Sequence, residues 1–466
     1  MEFYNRTEEL ALLNDRIDSD EADLLVVYGR RRVGKTELLS HLAETRKSLY
    51  FEATDTVAAE QLNDLTRELA LASGSDLLRS QPLGSWEAAL AAIADYVGDE
   101  RTLIVLDEFQ YLAVQSPELE TTLSRWWRIQ GRKLPVTLVL AGSEISFFED
   151  EVLAGQLYGR RTGQLKVQPF LAKEAALFHP GYSYEDKVRA YSVCGGIPYY
   201  LELFRGDRPL DETLLRSVFQ RTGLLHDEAE LMIRQSIADP TNYMAVLRSI
   251  AQGHNKNSSI RDRTGLEPSH ITKILTVLIR LGLVERLRPI TASPRVKKVA
   301  YTIKDQFLQF HFRFVEPGRS HLRTNKLAET YVRDKVLPEL DHHASMAWEQ
   351  ISREHVMLTD PNVAAVGRWW GHVPTGRGRH VEEREIDVVA VDAEGAPIVL
   401  GMCKWTVNKV DFDELNLLDR LAGSVEGHTG EEQRILFSRS GFTDRVKAHA
   451  ESDPKLRLVT PVDVYG

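Results

Sequence analysis

The chain has 466 residues, enough for two to four domains, and its composition of 43% hydrophobic and 27% charged residues is ordinary for a globular protein. No apolar run reaches the length of a membrane span, and the first residues, MEFYNRTEEL, contain no apolar signal segment. The two cysteines, Cys194 and Cys403, fit neither a disulfide framework nor a metal-ligand spacing. These features predict a cytoplasmic protein with no membrane contact.

The most specific motif lies at residues 29–36, which read GRRRVGKT. The apolar run 24–28 predicts a buried strand before it, and the apolar spacing of 36–42 predicts a helix after it. In this pattern the glycines let the backbone N–H groups hold phosphate oxygens, while Lys35 reaches the β- and γ-phosphates and Thr36 binds Mg²⁺. The predicted cofactors are therefore ATP and Mg²⁺. The predicted nucleotide contacts are Gly29, Arg30, Arg31, Arg32, Val33, Gly34, Lys35, Thr36 and Glu37.

A second predicted strand, 102–106, ends in Asp107 and Glu108. An apolar strand followed by these two acids is the Walker B arrangement. There Asp107 holds Mg²⁺ through water and Glu108 acts as general base toward the attacking water. The alternative is an acidic turn after a core strand.

Three later features are predicted to complete the phosphate site. Ser143 follows the strand 136–140, where a polar residue orients the water or senses the γ-phosphate, although it equally suits a helix cap. Arg160 and Arg161 are predicted to stabilise charge on the transferred phosphoryl group, in cis or from a neighbouring subunit of a homo-oligomer. A solvated or salt-bridged arginine pair is the alternative. Pro198, in the segment CGGIPYY, is either a lid contact to the nucleotide or a helix junction.

Together these pieces resemble the archaeal-type ATPase family, a P-loop branch close to AAA+ and signalling NTPases. The matching segments are the initial F-x-N-R-x-x-E-L, then GRRRVGKT, LIVLDE, LAGS, LYGRRTG and GGIPYYL. The resemblance extends from residue 1 to about 240 and implies an α/β fold, a P-loop AAA+-like parallel sheet with a helical lid. It also implies that Arg6 and Glu9 lie near the adenine.

The middle of the chain is basic. Residues 254–335 contain 17 lysines and arginines against 7 acidic residues, although the whole chain has a net charge of −10. Helical patterns at 242–251, 258–266 and 268–281, followed by two strand patterns, predict a winged helix-turn-helix at 241–320. We expect double-stranded DNA as its partner, and a protein-docking or lid module is the alternative. The predicted DNA contacts are Ser269, His270, Thr272 and Lys273 on the recognition helix, and Arg288, Arg295, Lys297 and Lys298 on the wing.

The C-terminal part, 321–466, resembles the α/β, restriction-endonuclease-like domain of the PD-(D/E)xK type that commonly follows archaeal-type ATPases. The resemblance rests on AWE at 347–349, GRWW at 367–370, EIDVVAV at 385–391 and IVLGMCKW at 398–405. It assigns Glu349, Asp387 and Lys404 to the nuclease site and places Met402 where active relatives have glutamate. A thioether is a poor ligand for Mg²⁺, so the site is predicted to be degenerate and retained for nucleic-acid or subunit contacts. A leftover buried ion pair between Asp387 and Lys404 is the alternative.

The sequence therefore predicts an ATPase that acts on DNA through a winged helix and carries a nuclease-like domain without cleavage activity. The predicted domains are 1–240, 241–320 and 321–466. An active ATP-dependent DNA nuclease and a signalling NTPase switch that binds protein partners are the two alternatives.

Overall fold

The computed structural model describes residues 4–237, 239–293, 299–374 and 381–466. The chain divides into two compact units, Met1–Pro169 and Phe170–Gly466. The predicted boundaries near 240 and 320 fall inside the second unit and remain predictions. Among the described residues, no helix combines the length and apolar character that crossing a membrane requires.

The first unit is built on a parallel sheet of five strands in the order β2-β3-β4-β1-β5. The strands are β1 (Asp23–Tyr28), β2 (Ser48–Glu52), β3 (Thr102–Asp107), β4 (Val136–Gly142) and β5 (Gly163–Lys166). The helices are α1 (Thr7–Ile17), α2 (Lys35–Ala43), α3 (Ala58–Ser73), α4 (Asp76–Ser80), α5 (Trp86–Val97), α6 (Phe109–Gln115), α7 (Leu119–Ile129) and α8 (Ile145–Phe147).

Strands β1, β3 and β4 are buried along their whole length. Two apolar clusters, one containing Leu24 and Leu106 and the other Val27 and Val105, bury their side chains. The continuous apolar runs in the sequence reflect this burial, and the predicted parallel α/β sheet is confirmed. Since β4 lies between β1 and β3, the ends of these three strands meet at one edge of the sheet.

The second unit contains the remaining elements. Its helices are α9 (Ala172–Ala175), α10 (Tyr184–Cys194), α11 (Pro198–Leu201), α12 (Leu210–Leu214), α13 (Glu228–Ser236), α14 (Thr241–Ala251), α15 (Asn257–Thr264), α16 (Pro268–Arg280), α17 (Gln306–Phe310), α18 (Asn325–Tyr331), α19 (Leu337–Thr359), α20 (Phe412–Ala422), α21 (Asp444–Ser452) and α22 (Pro461–Tyr465). Its strands are β6 (Val284–Leu287), β7 (Ala300–Ile303), β8 (Ala365–Pro374), β9 (Val381–Val391), β10 (Pro397–Lys404), β11 (Gln433–Ser438) and β12 (Leu456–Val459).

Helices α14, α15 and α16 are followed by the antiparallel pair β6–β7, in the order predicted for a winged helix. Helix α16 buries Ile271, Ile274, Leu275 and Leu278 and leaves its other face exposed, as its apolar spacing predicts. The loop after β6 packs on the C-terminal sheet, where the Ile290 N–H donates to the Arg368 carbonyl oxygen at 2.9 Å.

The C-terminal sheet has five strands in the order β12-β11-β10-β9-β8. Strands β8, β9 and β10 pair antiparallel, whereas β10, β11 and β12 pair in parallel. Helix α19 packs on β8, β9 and β10, and α20 packs on β9 and β10. This arrangement places α19, β9, β10 and α20 around one cleft.

Helix α19 also holds the helices that follow β5. The Arg189 Nε of α10 donates to Asp341 Oδ1 at 2.8 Å, and the Ala172 N–H of α9 donates to Glu354 Oε2 at 2.9 Å. The Nε2 atom of His343, which is buried in α19, lies 2.8 Å from the Ser192 carbonyl oxygen. The predicted lid helices therefore belong to the same compact unit as the C-terminal sheet.

Candidate functional site

The phosphate-loop motif lies between the end of β1 at Tyr28 and the start of α2 at Lys35. Gly34 and Arg32 adopt left-handed backbone angles, with φ values of 89° and 66°. At Gly29 an added Cβ would lie 2.5 Å from the Val167 carbonyl oxygen, so a larger residue does not fit there. The glycines thus permit the tight turn that the motif predicts.

Lys35 is buried, and its Nζ donates to the carbonyl oxygens of Gly29 at 2.9 Å and Arg30 at 3.1 Å. Burial lowers the pKa of Lys35, while the charges of Glu108 and Asp107 act in the opposite direction. The Lys35 ammonium group therefore lies inside the loop, and its hydrogen-bond partners are neutral backbone carbonyl oxygens.

Thr36 and Asp107 meet at the same edge of the sheet. The Thr36 hydroxyl donates to Asp107 Oδ2 at 2.9 Å, and the Glu108 N–H donates to Asp107 Oδ1 at 2.9 Å. A hydroxyl and a buried carboxylate are hard oxygen donors, so these residues fit Mg²⁺. Their role as metal ligands remains a prediction.

Tyr50 of β2 belongs to this cluster, although no motif in the sequence points to it. Its hydroxyl donates to the same Asp107 Oδ2 at 2.6 Å. Burial, followed by the negative charge of Asp107, raises the pKa of Tyr50, so the phenol stays neutral and donates. A single tyrosine in an apolar strand looks like a core residue until the pairing of β2 with β3 is known.

Glu108 lies just beyond β3 with a left-handed φ of 52°, a strained backbone for a residue with a side chain. Its Oε2 accepts hydrogen bonds from Ser143 Oγ at 2.8 Å and from the Gln110 amide. The predicted general base and the predicted water-orienting serine are therefore in direct contact.

The other loop residues have distinct surroundings. Arg31 is exposed, and its guanidinium donates to Ser143 Oγ at 3.3 Å and to the Tyr111 hydroxyl at 2.7 Å. Arg32 and Glu37 are exposed, Arg30 is half-buried, and Val33 is buried. These roles as nucleotide contacts remain predictions.

Arg6 is buried directly behind the loop. Its guanidinium donates to the Val33 carbonyl oxygen at 2.7 Å and pairs with Glu9 at 2.7 Å. This contact connects the N-terminal segment to the phosphate loop. The proximity of Arg6 and Glu9 to an adenine remains a prediction.

Arg160 and Arg161 precede β5, at the opposite end of the sheet. The Thr162 N–H donates to the Leu24 carbonyl oxygen near the start of β1, whereas the phosphate loop follows the end of β1. The Arg161 guanidinium nevertheless donates to the Leu153 carbonyl oxygen, in the segment that follows β4. Burial raises the pKa of Tyr28 at the end of β1, and the charge of Arg161 is among those that lower it. A role of Arg160 or Arg161 toward the phosphates, in cis or from a neighbouring subunit, remains a prediction.

Pro198 is the first residue of α11, in the second unit. Gly195 has a φ of 57°, and an added Cβ at Gly196 would lie 1.9 Å from the Phe170 carbonyl oxygen. These features explain the Gly-Gly-x-Pro segment as a helix junction. A nucleotide contact by Pro198 remains a prediction.

The four residues of the predicted nuclease site line one cavity of about 890 Å³. Asp387 lies near the end of the β9–β10 pairing, and continuing the register of Gly401 with Val388 by one residue places Met402 beside it. Met402 is buried in the apolar core with Leu400, Leu415 and Leu418. The residue in the missing glutamate's position therefore serves packing.

Asp387 is buried and accepts a hydrogen bond from the Cys403 N–H at 2.8 Å. Burial, together with the nearby charge of Glu349, raises the pKa of Asp387 to about 7. Burial therefore favours the protonated form of this carboxyl group.

The cations of the cleft lie beside carboxylates, and one carboxylate, Glu349, is shared by two guanidinium groups. Glu349 pairs with Arg368 at 3.2 Å and Arg353 at 3.8 Å, and Lys404 pairs with Glu414 at 3.2 Å. The ion-pair partner of Lys404 is thus Glu414 of α20, whereas the alternative reading of the sequence paired Lys404 with Asp387. Within the described ranges, no three acidic, histidine or cysteine side chains are grouped as metal ligands.

The predicted DNA-contact residues of α16 lie on its exposed face: Ser269, His270, Thr272 and Lys273. Arg288 is half-buried in the loop that packs on β8, and it has an interaction partner. Arg295, Lys297 and Lys298 lie outside the described residues.

Comparison with known proteins supports the first of these sites. Residues 3–204 match the family described as an ATPase domain predominantly from Archaea, and residues 311–415 match one described as "Archaea bacterial proteins of unknown function". The first family match and the sheet described above support an ATPase domain with the P-loop fold in the N-terminal part of the chain.

Two relatives come from Methanocaldococcus jannaschii. An uncharacterized protein is 29% identical over 411 residues, covering 86% of this chain and 87% of that protein. An uncharacterized ATP-binding protein is 47% identical over 45 residues, covering 10% of this chain and 76% of that protein. Among solved structures, the Walker-type ATPase of Pyrococcus abyssi shares the fold at a TM-score of 0.51 and 20% identity, covering 67% of this chain and 96% of that one.

Proposed function

We propose that this protein hydrolyses ATP with Mg²⁺ and acts on double-stranded DNA through a winged helix formed by residues 241–320, without cleaving it. The observation that carries the hydrolysis is the contact between Glu108 and Ser143 at 2.8 Å, at the sheet edge that also holds Lys35 and Thr36. A base, a hydroxyl, a buried ammonium and a metal-binding pair are the groups that phosphoryl transfer needs.

In the proposed reaction a water oxygen attacks the γ-phosphorus, and the bond to the β,γ-bridging oxygen breaks to give ADP and phosphate. Glu108 takes the proton of the attacking water, and Ser143 holds the Glu108 carboxylate in place. Lys35 exchanges its carbonyl partners for phosphate oxygens. Mg²⁺ held at Thr36 and Asp107 would supply charge neutralisation at the phosphates.

Contact with DNA is supported by the exposed face of α16 and by the excess of basic residues around it. Lys273 and His270 project from the helix that occupies the recognition position of a winged helix. A positively charged surface gains affinity for the DNA backbone by releasing counterions.

The absence of cleavage is supported by the partners of the cleft residues. Lys404 pairs with Glu414, Arg368 pairs with Glu349, and Met402 packs in the core. An ATP-dependent nuclease is the competing function, because Glu349, Asp387 and Lys404 do line one cavity. Cleavage of DNA with Mg²⁺ or Mn²⁺, abolished by Asp387→Ala, would establish that competing function.

The proposed function is tested by measuring ATP turnover and duplex binding together. We expect turnover in the wild type, none in Lys35→Ala, and a steep loss of DNA affinity between about 50 and 200 mM salt. Lys273→Glu should lower the slope of log affinity against log salt by about 1. Lys326→Glu, the same charge change at an exposed position of α18, is the control. Equal behaviour of the two variants would contradict the role of α16.

A further inference from the structure

Arg31 has a position that the phosphate-loop motif does not explain. The motif leaves this position open to any residue, yet the side chain reaches the ends of two neighbouring strands. Its Nε donates to Ser143 Oγ, just after β4, and its Nη2 donates to the Tyr111 hydroxyl in the first turn of α6. Ser143 in turn donates to Glu108. One hydroxyl therefore separates the guanidinium from the predicted general base.

The charge of Arg31 is not neutralised by these partners. Both acceptors are neutral hydroxyl oxygens, and in the described part of the chain no carboxylate forms an ion pair with Arg31. The side chain is exposed on the loop that receives the phosphates. Its positive charge also lowers the pKa of Lys35, after burial as the largest cause, which shows that the two cations share one small region.

We infer that Arg31 is a catalytic residue that contacts the γ-phosphate of ATP bound in the same chain and stabilises the negative charge of the transferred phosphoryl group. This assignment rests on the proposed hydrolysis and adds a residue to it. During the reaction, the water oxygen forms a bond to the γ-phosphorus as the bond to the bridging oxygen breaks, and Glu108 accepts the proton. Negative charge on the departing ADP and the transferred oxygens attracts the guanidinium, which leaves the two hydroxyls.

The geometry favours Arg31 over the arginines predicted from the sequence. The backbone of Arg160 and Arg161 lies near the start of β1, and their guanidiniums donate to Ser124 Oγ and the Leu153 carbonyl oxygen. Arg31 lies at the carboxyl ends of the strands, one hydroxyl away from Glu108. A catalytic arginine in cis makes the reaction independent of a second subunit.

Arg31→Ala tests the inference directly. Arg31 is exposed and has an ordinary φ, so the variant should fold. We expect kcat to fall about 10²- to 10³-fold, as for loss of one preorganised donor, with mant-ATP affinity changed much less. Arg31→Lys should not restore kcat, because lysine lacks the planar fork of donors. Arg132→Ala, an exposed arginine at the far end of the sheet, is the control and should retain wild-type turnover.

A second measurement does not depend on turnover. Aluminium fluoride with ADP and Mg²⁺ mimics the transferred phosphoryl group, and its trapping is followed by the slowed release of mant-ADP. Wild type and Arg132→Ala should trap the nucleotide, whereas Arg31→Ala should bind mant-ADP normally but release it fast. Trapping by Arg31→Ala equal to that of the wild type would overturn the assignment.

Dilution separates action in cis from action in trans. We expect constant turnover per molecule on dilution, and no recovery when Arg31→Ala is mixed with Lys35→Ala. Recovery of turnover on mixing would overturn the assignment of Arg31 but leave the proposed hydrolysis standing. The same holds if Arg160→Ala or Arg161→Ala loses turnover while Arg31→Ala remains active. An inactive wild-type protein would overturn the proposed hydrolysis, and the assignment with it.

Discussion

The edge of the first sheet and the cleft of the C-terminal sheet contain the same kinds of residue, but their basic side chains have different partners. Each combines an aspartate at a strand end with a lysine and an arginine. At the first edge, Lys35 and Arg31 donate to carbonyl and hydroxyl oxygens, so their charge remains available to an anion. In the cleft, Lys404 and Arg368 are paired with carboxylates. The availability of positive charge, more than residue identity, distinguishes the edge of the first sheet from the cleft.

The largest expected effect concerns the predicted general base. Glu108→Gln keeps the shape of the side chain and can still accept from Ser143, but it cannot take a proton. We expect kcat to fall about 10²- to 10⁴-fold while mant-ATP binding is retained. A turnover assay with Arg132→Ala as the control measures this. Wild-type turnover in Glu108→Gln would show that Glu108 is not the general base, and the first site would then differ less from the cleft.

Sequence patterns identified residues that the structure brings together at the edge of the first sheet, because their signals are local. The loop at residues 29–36 and the pair Asp107–Glu108 each lie in one short segment beside a buried strand. Tyr50 and the bond between Arg31 and Tyr111 were missed, since both depend on which strand or helix lies next to which. Apolar periodicity contains no information about such neighbours.

The C-terminal cleft shows the same limit more strongly. The resemblance gathered Glu349, Asp387, Met402 and Lys404, and the structure places all four around one cavity. The pairing of Lys404 with Glu414 was not predicted, because α20 lies beyond the motif and its distance from β10 is set by packing of the core. The pairing of charges in a site is therefore harder to predict from sequence than the set of residues that line it.

The second prediction concerns the buried Asp387. Its pKa is raised from its ordinary range near 4 to about 7, so between these values the folded protein holds a proton that the unfolded chain has lost. Its contribution to stability is therefore present at low pH and is lost as pH rises from about 4 to about 7. Asp387→Asn should remove this pH-dependent loss of stability, which can be at most about 4 kcal/mol. Urea unfolding at pH 5 and pH 8 measures the free energy of unfolding of both proteins. The excess of the variant over the wild type should grow with pH.

The opposite trend, with the wild type gaining stability over Asp387→Asn at pH 8, would show that Asp387 is ionised and held by charge partners. The cleft would then resemble the first site more than we propose. Glu394→Gln, which removes an exposed carboxylate in the turn between β9 and β10, is the control for the change of charge.

A third prediction concerns restoration of the missing ligand. Met402→Glu places a carboxylate beside Asp387, so Mn²⁺ should bind and raise stability by about 1.4 kcal/mol at a tenfold excess over its Kd. Met402→Gln has a similar shape without the charge and should not respond to the metal. Thermal unfolding with and without Mn²⁺ measures both variants. Equal stabilisation of the wild type by Mn²⁺ would mean that the natural cleft already holds a metal.

The smallest expected effect concerns Tyr50. Its hydroxyl donates to Asp107 Oδ2, whereas the Glu108 N–H donates to the other oxygen, Oδ1. Asp107 is fully buried, and Oδ2 accepts hydrogen bonds from both Tyr50 and Thr36. If Mg²⁺ draws the Thr36 hydroxyl away, Tyr50 would be the donor left on Oδ2, while the Glu108 N–H still donates to Oδ1. Tyr50→Phe should therefore weaken the dependence of mant-ATP binding on Mg²⁺ by about 1 kcal/mol, roughly fivefold in the half-saturating concentration. Tyr96→Phe, which removes a hydroxyl bonded to the Ser48 carbonyl oxygen, is the matched control. A larger effect in Tyr96→Phe than in Tyr50→Phe would mean that these hydroxyls act through stability of the sheet edge, and that Asp107 is positioned by the loop alone.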